Sequence, residues 1–480
     1  MTINSLIQNY NSFSLHAKAS LWYIVCNVLN KGVALLTTPI FTRFLTEEEF
    51  GEFTLFQSWY AILVIFTSLN VFLAGYQKGL ILFKNDILSF TSSQLGLTTF
   101  ITIFFFVIYL LFYNFWQGIF NLAVPLMIAM FLELLTMPAV ELWAARLRFD
   151  FKYKSYVYLT IAMSLVSTAV AVIAVIFCKY KIEARVFSDV GVKFLFSGVI
   201  FIFIFFKGKK FFSSKYWKYS LIFNLPLIPH YISHFILNQS DRIMIGYFES
   251  KVQVAYYGLA YTLSMVMLFV INGINNSFCP TVYKFINSDN YNFEKINSDA
   301  CWYTLLVFVL CLVTMIIAPE LIYIFAGNKY MAAVYIVPPV SASVFFIFLY
   351  SLYSNIEYYY QKTIGISAAT FLSAILNVIL NYIFIKKYGY YAAAYTTLFC
   401  YLLLSFIHFV FFKRLAVKHN LIRIYNIKFQ LSLCVILIIC VFLFTLIYNH
   451  TIIRYLLLFF GLIYISYYIN KLYHKKYSRS

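Results

Sequence analysis

The chain has 480 residues, of which 63% are apolar and 11% charged, with a mean hydropathy of +0.82; an ordinary soluble domain holds roughly 45–50% and about 25%. No water-soluble fold of this size hides so much apolar surface, which excludes soluble enzymes, disordered chains and nucleic-acid binders. The excess of 36 Lys and Arg over 17 Asp and Glu, a net charge of +19, falls mostly in short gaps between apolar runs, where basic residues set membrane topology.

These runs predict an all-α polytopic membrane protein with about fourteen spanning helices: 15–41, 50–75, 92–113, 119–143, 155–178, 186–206, 219–247, 253–282, 300–326, 331–356, 363–385, 390–412, 427–448 and 452–470. Each is long enough to cross about 30 Å of hydrocarbon as a helix. None shows the apolar–polar alternation of a barrel strand. Residues 1–14 lack the basic segment and small-residue cleavage site of a secretory peptide, so the first run is expected to act as the insertion signal and to be retained. With the N-terminus placed in the cytoplasm, Lys and Arg divide 24 to 9 in favour of the cytoplasmic gaps and tails. This bias predicts both termini inside and an even number of spans. The two most basic gaps, 207–218 and 413–428, divide the chain into 1–210 (six helices), 211–415 (six helices) and 416–480 (two further helices and a basic cytoplasmic tail). Two six-helix lobes around a central cavity are the expected arrangement.

Ionisable groups within spans are costly and are therefore functional candidates. In the first span Lys31 stands near the centre, one turn after Asn27, and Arg43 near the outer end. Lys31 attracts an anion in a cavity or pairs with Glu133 or Glu141 of the fourth span. Those two carboxylates flank Pro138 on one helical face and are candidates for ion coupling, as is Asp241. In the sixth span Asp189 and Lys193, four residues apart, are placed to pair with each other. In the seventh, His230, His234, Asn238 and Asp241 follow one another at spacings of 4, 4 and 3, a single polar stripe, with Arg242 beside it and Pro226 and Pro229 before it. The prolines free backbone carbonyls that need water or protein to satisfy them, so the stripe reads as a wall of a hydrated cavity. Local ion pairing of Asp241 with Arg242, and histidines bonded to neighbouring helices, is the alternative. Asn272, Asn275 and Asn276, and Ser373, Asn377 and Asn381, form further stripes suited to helix–helix hydrogen bonds. Glu357 is expected to mark an interface and His408 to be an isolated packing histidine.

No GxSxG, HExxH or Walker motif occurs, and no gap is long enough for a nucleotide-binding domain. No catalytic residue, cofactor or metal ligand is therefore expected, and ATP is not expected as the direct energy source. The eight cysteines lie in or beside apolar runs without a CxxC pair and are expected to be buried thiols.

The segment from Tyr219 through Pro226, Pro229 and His230 to Asn238-Gln-Ser-Asp-Arg-Ile-Met-Ile-Gly246 resembles the seventh-helix signature of Wzx-type flippases of the MOP (MATE-like) superfamily. Thr42-Arg-Phe-Leu-Thr-Glu-Glu-Glu-Phe-Gly51 with Leu55-Phe-Gln-Ser-Trp59 is similar to the family's first loop. Phe325-Ala-Gly-Asn-Lys-Tyr-Met-Ala-Ala-Val334 with Pro338 is similar to its ninth-to-tenth helix junction, and Glu357-Tyr-Tyr-Tyr-Gln-Lys-Thr363 to its tenth-helix end. The resemblance spreads over residues 20–363 and does not reach the last two spans. It implies two lobes in a V that rock between inward and outward access. It also implies a cargo of undecaprenyl-pyrophosphate-linked oligosaccharide, an O-antigen or similar lipopolysaccharide repeat unit, moved across a bacterial inner membrane. Membrane lipids, a polysaccharide polymerase and a chain-length regulator are the implied partners. The resemblance carries a cargo-binding role to Arg43 and Arg242; Lys31 joins them on physical grounds. A MATE-like ion-coupled exporter of small molecules shares this architecture but is expected to have an acidic cavity. A membrane polymerase or ligase is expected to need a larger outer loop than any gap here provides.

Overall fold

A computed structural model describes residues 14–287, 292–457, 459 and 461. It is a multi-pass helical protein. Thirteen helical stretches among the described residues are long and apolar enough to cross a membrane. They correspond in order to the first thirteen predicted spans; the fourteenth, 452–470, lies largely outside the described residues. Contacts divide the chain into two units, Met1–Ala255 and Tyr256–Ser480. The seventh span belongs to the first unit.

The first unit contains α1 (Leu15–Phe44), α2 (Glu47–Ser68), α3 (Ala74–Leu82), α4 (Ile87–Leu111), α5 (Tyr113–Phe120), α6 (Val124–Phe149), α7 (Tyr153–Phe177), α8 (Lys181–Gly208), α9 (Ser214–Asn224) and α10 (Ile228–Phe248). Its core lies along α6 and the first half of α4, where residues 90–99 are all buried. α2 starts at a reciprocal cap: the Glu49 amide donates to Thr46 Oγ1 at 3.2 Å and the Thr46 amide to Glu49 Oε2 at 2.7 Å. Serines and threonines within the spans, such as Thr54, Ser58 and Thr102, donate to carbonyls one turn back. A hydroxyl so bonded needs no water.

The predicted proline break of the seventh span is present. Leu225–Leu227 forms a single 3-10 turn between α9 and α10, and Ser233 donates to the Pro229 carbonyl at 2.7 Å. The connector ahead of α9 and α9 itself are tied to α4: Ser92 donates to the Lys210 carbonyl of the connector at 2.9 Å, and within α9 Trp217 Nε1 donates to the Ser93 carbonyl at 2.9 Å and Ser220 to Gln94.

The second unit contains the run of α11 (Lys251–Met265) from Tyr256 onward, then α12 (Leu268–Ile286), α13 (Phe293–Ile316), α14 (Ala318–Ala326), α15 (Val337–Tyr359), α16 (Thr363–Tyr388), α17 (Tyr391–Lys418) and α18 (Ile427–Ile447). A 3-10 helix, Asn328–Ile336, leads into α15. α15 is the central element, buried at nearly every position from Val337 to Glu357, and packs against α12, α13, α17 and α18. Asn377, Asn381, Thr396 and Thr397 bond within and across α16 and α17, and Asn355 donates to Asn275 at 3.3 Å; these stripes tie helices together. Past α18, Arg454 is buried and makes a two-pronged pair with Glu320 at 2.9 Å for each contact, and it also donates to the Ile316 carbonyl. The cysteines are free thiols; Cys26, Cys311 and Cys400 are buried, whereas Cys178 is exposed, contrary to expectation, because it caps the end of α7.

Candidate functional site

All the residues singled out for cargo or ion coupling lie in the first unit. The polar stripe of α10 splits along its length. His230 and His234 are exposed and Asn238 is half-buried, whereas Asp241 and Arg242 are 0% and 5% exposed. Asn238 Nδ2 donates to the His234 carbonyl at 2.7 Å. Arg242 Nη1 donates to the Asn238 carbonyl at 2.8 Å and to Gln239 Oε1 at 2.6 Å. The guanidinium is thus held by its own helix, so only the first half of the stripe presents polar groups to a surface.

The second half is a packing junction. Gly246 stands so close to α2 that a Cβ there would meet Leu55 Cδ2 at 2.8 Å, and its carbonyl accepts from Asn121 Nδ2 at 3.2 Å. A Cβ on Gly51 would lie 1.7 Å from the Lys251 carbonyl oxygen, and Lys251 pairs with Glu52 at 3.0 Å. Two segments that carry the resemblance, 42–59 and 238–246, therefore meet through glycines that let helices approach.

Lys31 and Arg43 are both exposed on α1. Glu133, 4% exposed, takes Lys193 of α8 at 2.7 Å, because Lys193 projects from a helix packed directly on α6. Lys193 also pairs with Asp189 at 2.9 Å, as its spacing predicted. Asp189 in turn lies 3.9 Å from Arg185. Sequence reasoning placed Arg185 in a gap; it is within α8, its guanidinium 4.2 Å from the Phe41 ring and 4.3 Å from the Phe53 ring. Arg185, Asp189 and Lys193 at successive four-residue steps were the available signal. Together with Glu133 they form a chain of two acids and two bases whose formal charges cancel. A cation between two aromatic faces is stabilised where hydrogen-bond partners are scarce, and Arg185 Nε and Nη1 have none among the described residues. Glu141 is half-buried and forms no ion pair among the described residues.

In the second unit, Glu357 and His408 were underestimated. Both are 0% exposed, and His408 Nδ1 stands 2.7 Å from Glu357 Oε1. Glu357 is therefore buried between helices instead of marking an interface, and His408 is not isolated. Their partnership joins α15 to α17, a pairing that spacing along one helix does not reveal.

The family model described as "Polysaccharide biosynthesis protein" matches residues 16–286. The chain belongs to that family. A second model, MatE, matches residues 226–383. A relative in Haemophilus influenzae, "Lsg locus putative protein 1", is 26% identical over 234 residues, 47% of this chain and 58% of that relative's length. An uncharacterized membrane protein of the same organism is 22% identical over 375 residues, 75% of this chain and 88% of that protein. Among solved structures, the lipid II flippase MurJ in an inward closed conformation superposes with a TM-score of 0.66 at 16% identity, covering 94% of this chain and 99% of MurJ. An inward-facing multidrug resistance MATE transporter gives 0.58 at 13% identity, covering 81% and 95%. The fold is that of the MOP superfamily.

Proposed function

We propose that the protein is a flippase that carries undecaprenyl-pyrophosphate-linked oligosaccharide, an O-antigen or similar repeat unit, across the bacterial inner membrane by alternating access, with both termini in the cytoplasm. The observation that carries this reading is the family match over residues 16–286, which encloses every residue singled out for cargo binding. The resemblance in fold to a lipid II flippase over 94% of the chain supports it, as does the 24-to-9 distribution of basic residues for the orientation. In this reading Lys31 and Arg43 meet the anionic pyrophosphate or acidic sugars. His230 and His234 offer hydrogen bonds to the sugar headgroup. Asp241 and Arg242 hold the end of α10 in place and so act on cargo through the helix that bears the histidines. A polymerase and a chain-length regulator receive the product. The exposed cations of α1 weigh against an exporter of small cationic compounds, which needs an acidic surface.

Leaflet-resolved labelling of lipid-linked oligosaccharide, in a deletion strain with and without the gene restored, tests the proposal. The outer-leaflet signal is expected only with the protein, and a Lys31→Ala, Arg43→Ala double variant is expected to lower it at least tenfold at matched protein level, a loss of about 1.4 kcal/mol or more. Equal outer-leaflet signal with and without the protein would refute the activity. Full activity of the double variant would remove those two cations from the site.

A further inference from the structure

We propose that the exposed side of α12, in the second unit, is a binding wall for uncharged, hydroxyl-rich sugar. The inference rests on the flippase reading and names the part of the cargo that this wall receives. α12 (Leu268–Ile286) lies within the span Lys251–Ile286, and its two sides differ in chemistry. Ile271, Ile274, Phe278, Val282, Phe285 and Ile286 are buried. On the other side Asn272, Asn276 and Pro280 form one row of four-residue steps, and Gly273, Ser277 and Thr281 a second; all six are exposed. A spanning helix turned to lipid exposes the reverse. On α18 the exposed side chains include Leu431, Val435, Ile436, Ile439, Phe442 and Leu446. Amides and hydroxyls turned to hydrocarbon would forfeit hydrogen bonds at high cost, so this side of α12 meets water.

The groups on it are available to a ligand. Asn272 and Asn276 make no side-chain hydrogen bond among the described residues, so each presents two N–H donors and a carbonyl acceptor. Asn275 instead turns to α15, where it accepts from Asn355. Ser277 and Thr281 donate to carbonyls of their own helix at 2.9 and 3.0 Å, which leaves their oxygens as acceptors. Pro280 has no N–H to give the Asn276 carbonyl four residues back, so that carbonyl lacks its helical donor and is a further acceptor. At Gly273 a Cβ would meet nothing within 4 Å, so the space beside the two asparagines is open.

The wall carries no charge: no Asp, Glu, Lys or Arg occurs from Val252 to Tyr283. It offers no counter-charge to an anion or to a cation. What it matches is a ligand whose groups both donate and accept, and the neighbouring hydroxyls of a sugar ring do both. Within the cargo, the exposed cations of α1 suit the pyrophosphate, and α12 suits the uncharged rings. A site that hydrogen-bonds a hydroxyl discriminates against a molecule that lacks it, because its own polar groups are then left unpaired.

Native mass spectrometry of the full-length protein in detergent tests it with two lipids: undecaprenyl pyrophosphate, which has no sugar, and the undecaprenyl-pyrophosphate-linked oligosaccharide extracted from the deletion strain. The glycosylated lipid is expected to bind about tenfold more tightly. An Asn272→Ala, Asn276→Ala variant, changed only at exposed positions, is expected to lose most of that preference while keeping its affinity for undecaprenyl pyrophosphate. Equal binding of the two lipids by the wild type, or an undiminished preference in the variant, would overturn the inference and leave the flippase reading standing. Binding of neither lipid by the wild type would overturn both. A second measurement needs no ligand. The thiol of Asn276→Cys is expected to react with a water-soluble maleimide, read by peptide mass spectrometry, and that of Val435→Cys on α18 to stay unreacted. An unreactive Asn276→Cys would place this side of α12 away from water and overturn the inference.

Discussion

The two units solve the problem of charge inside an apolar interior in opposite ways. In the first, Glu133, Lys193, Asp189 and Arg185 form a chain in which every charge has an opposite neighbour or an aromatic face. In the second, Glu357 has one imidazole at 2.7 Å and an oxygen to spare. The first arrangement gives each charge an opposite neighbour, although Arg185 Nε and Nη1 have no hydrogen-bond partner among the described residues. The second is a single contact between two helices, and it leaves Glu357 Oε2 and His408 Nε2 without a hydrogen-bond partner among the described residues.

Substitutions can break this contrast or sharpen it. The largest effect is expected for Lys193→Met, which strands Glu133 and Asp189 together. Removing one partner from a buried pair costs about 3–5 kcal/mol, to be read as a fall in thermal unfolding temperature of the purified protein. Adding Glu133→Gln to that variant is expected to restore part of the loss. No recovery would mean that Glu133 is held by something other than the lysine. A smaller effect, about 1–3 kcal/mol, is expected for His408→Leu, which removes the imidazole that pairs with Glu357. Denaturant unfolding followed by tryptophan fluorescence measures it. The smallest, about 1 kcal/mol, is expected for Arg185→Lys. The charge survives, but an ammonium does not stack flat between Phe41 and Phe53; a wild-type melting curve would show that the rings contribute packing alone.

The spans were legible in the sequence because hydropathy is a local property, and thirteen of them stand where apolar runs predicted. The break at Pro226 was legible for the same reason, since proline's missing N–H acts on its own turn. Partner choice was not. Lys193 and Glu133 are 60 residues apart and His408 and Glu357 are 51 apart, and nothing in either local pattern names the other helix. The α10 stripe misled in part because periodicity tells which residues share a face but not how far along the helix that face stays open. Its far end is closed by α2, through a glycine contact that only three-dimensional packing reveals.

The ties from Ser92 to Lys210 and from Ser93 to Trp217 of α9 have a mechanical corollary. They moor the entrance of the seventh span, so a bending force applied along α10 concentrates at the 3-10 turn of Leu225–Leu227, where two prolines have already removed helical hydrogen bonds. That turn is the elastic joint of the first unit: its compliance sets how far His230 and His234 swing for a given push, while the segment ahead of it stays at anchor.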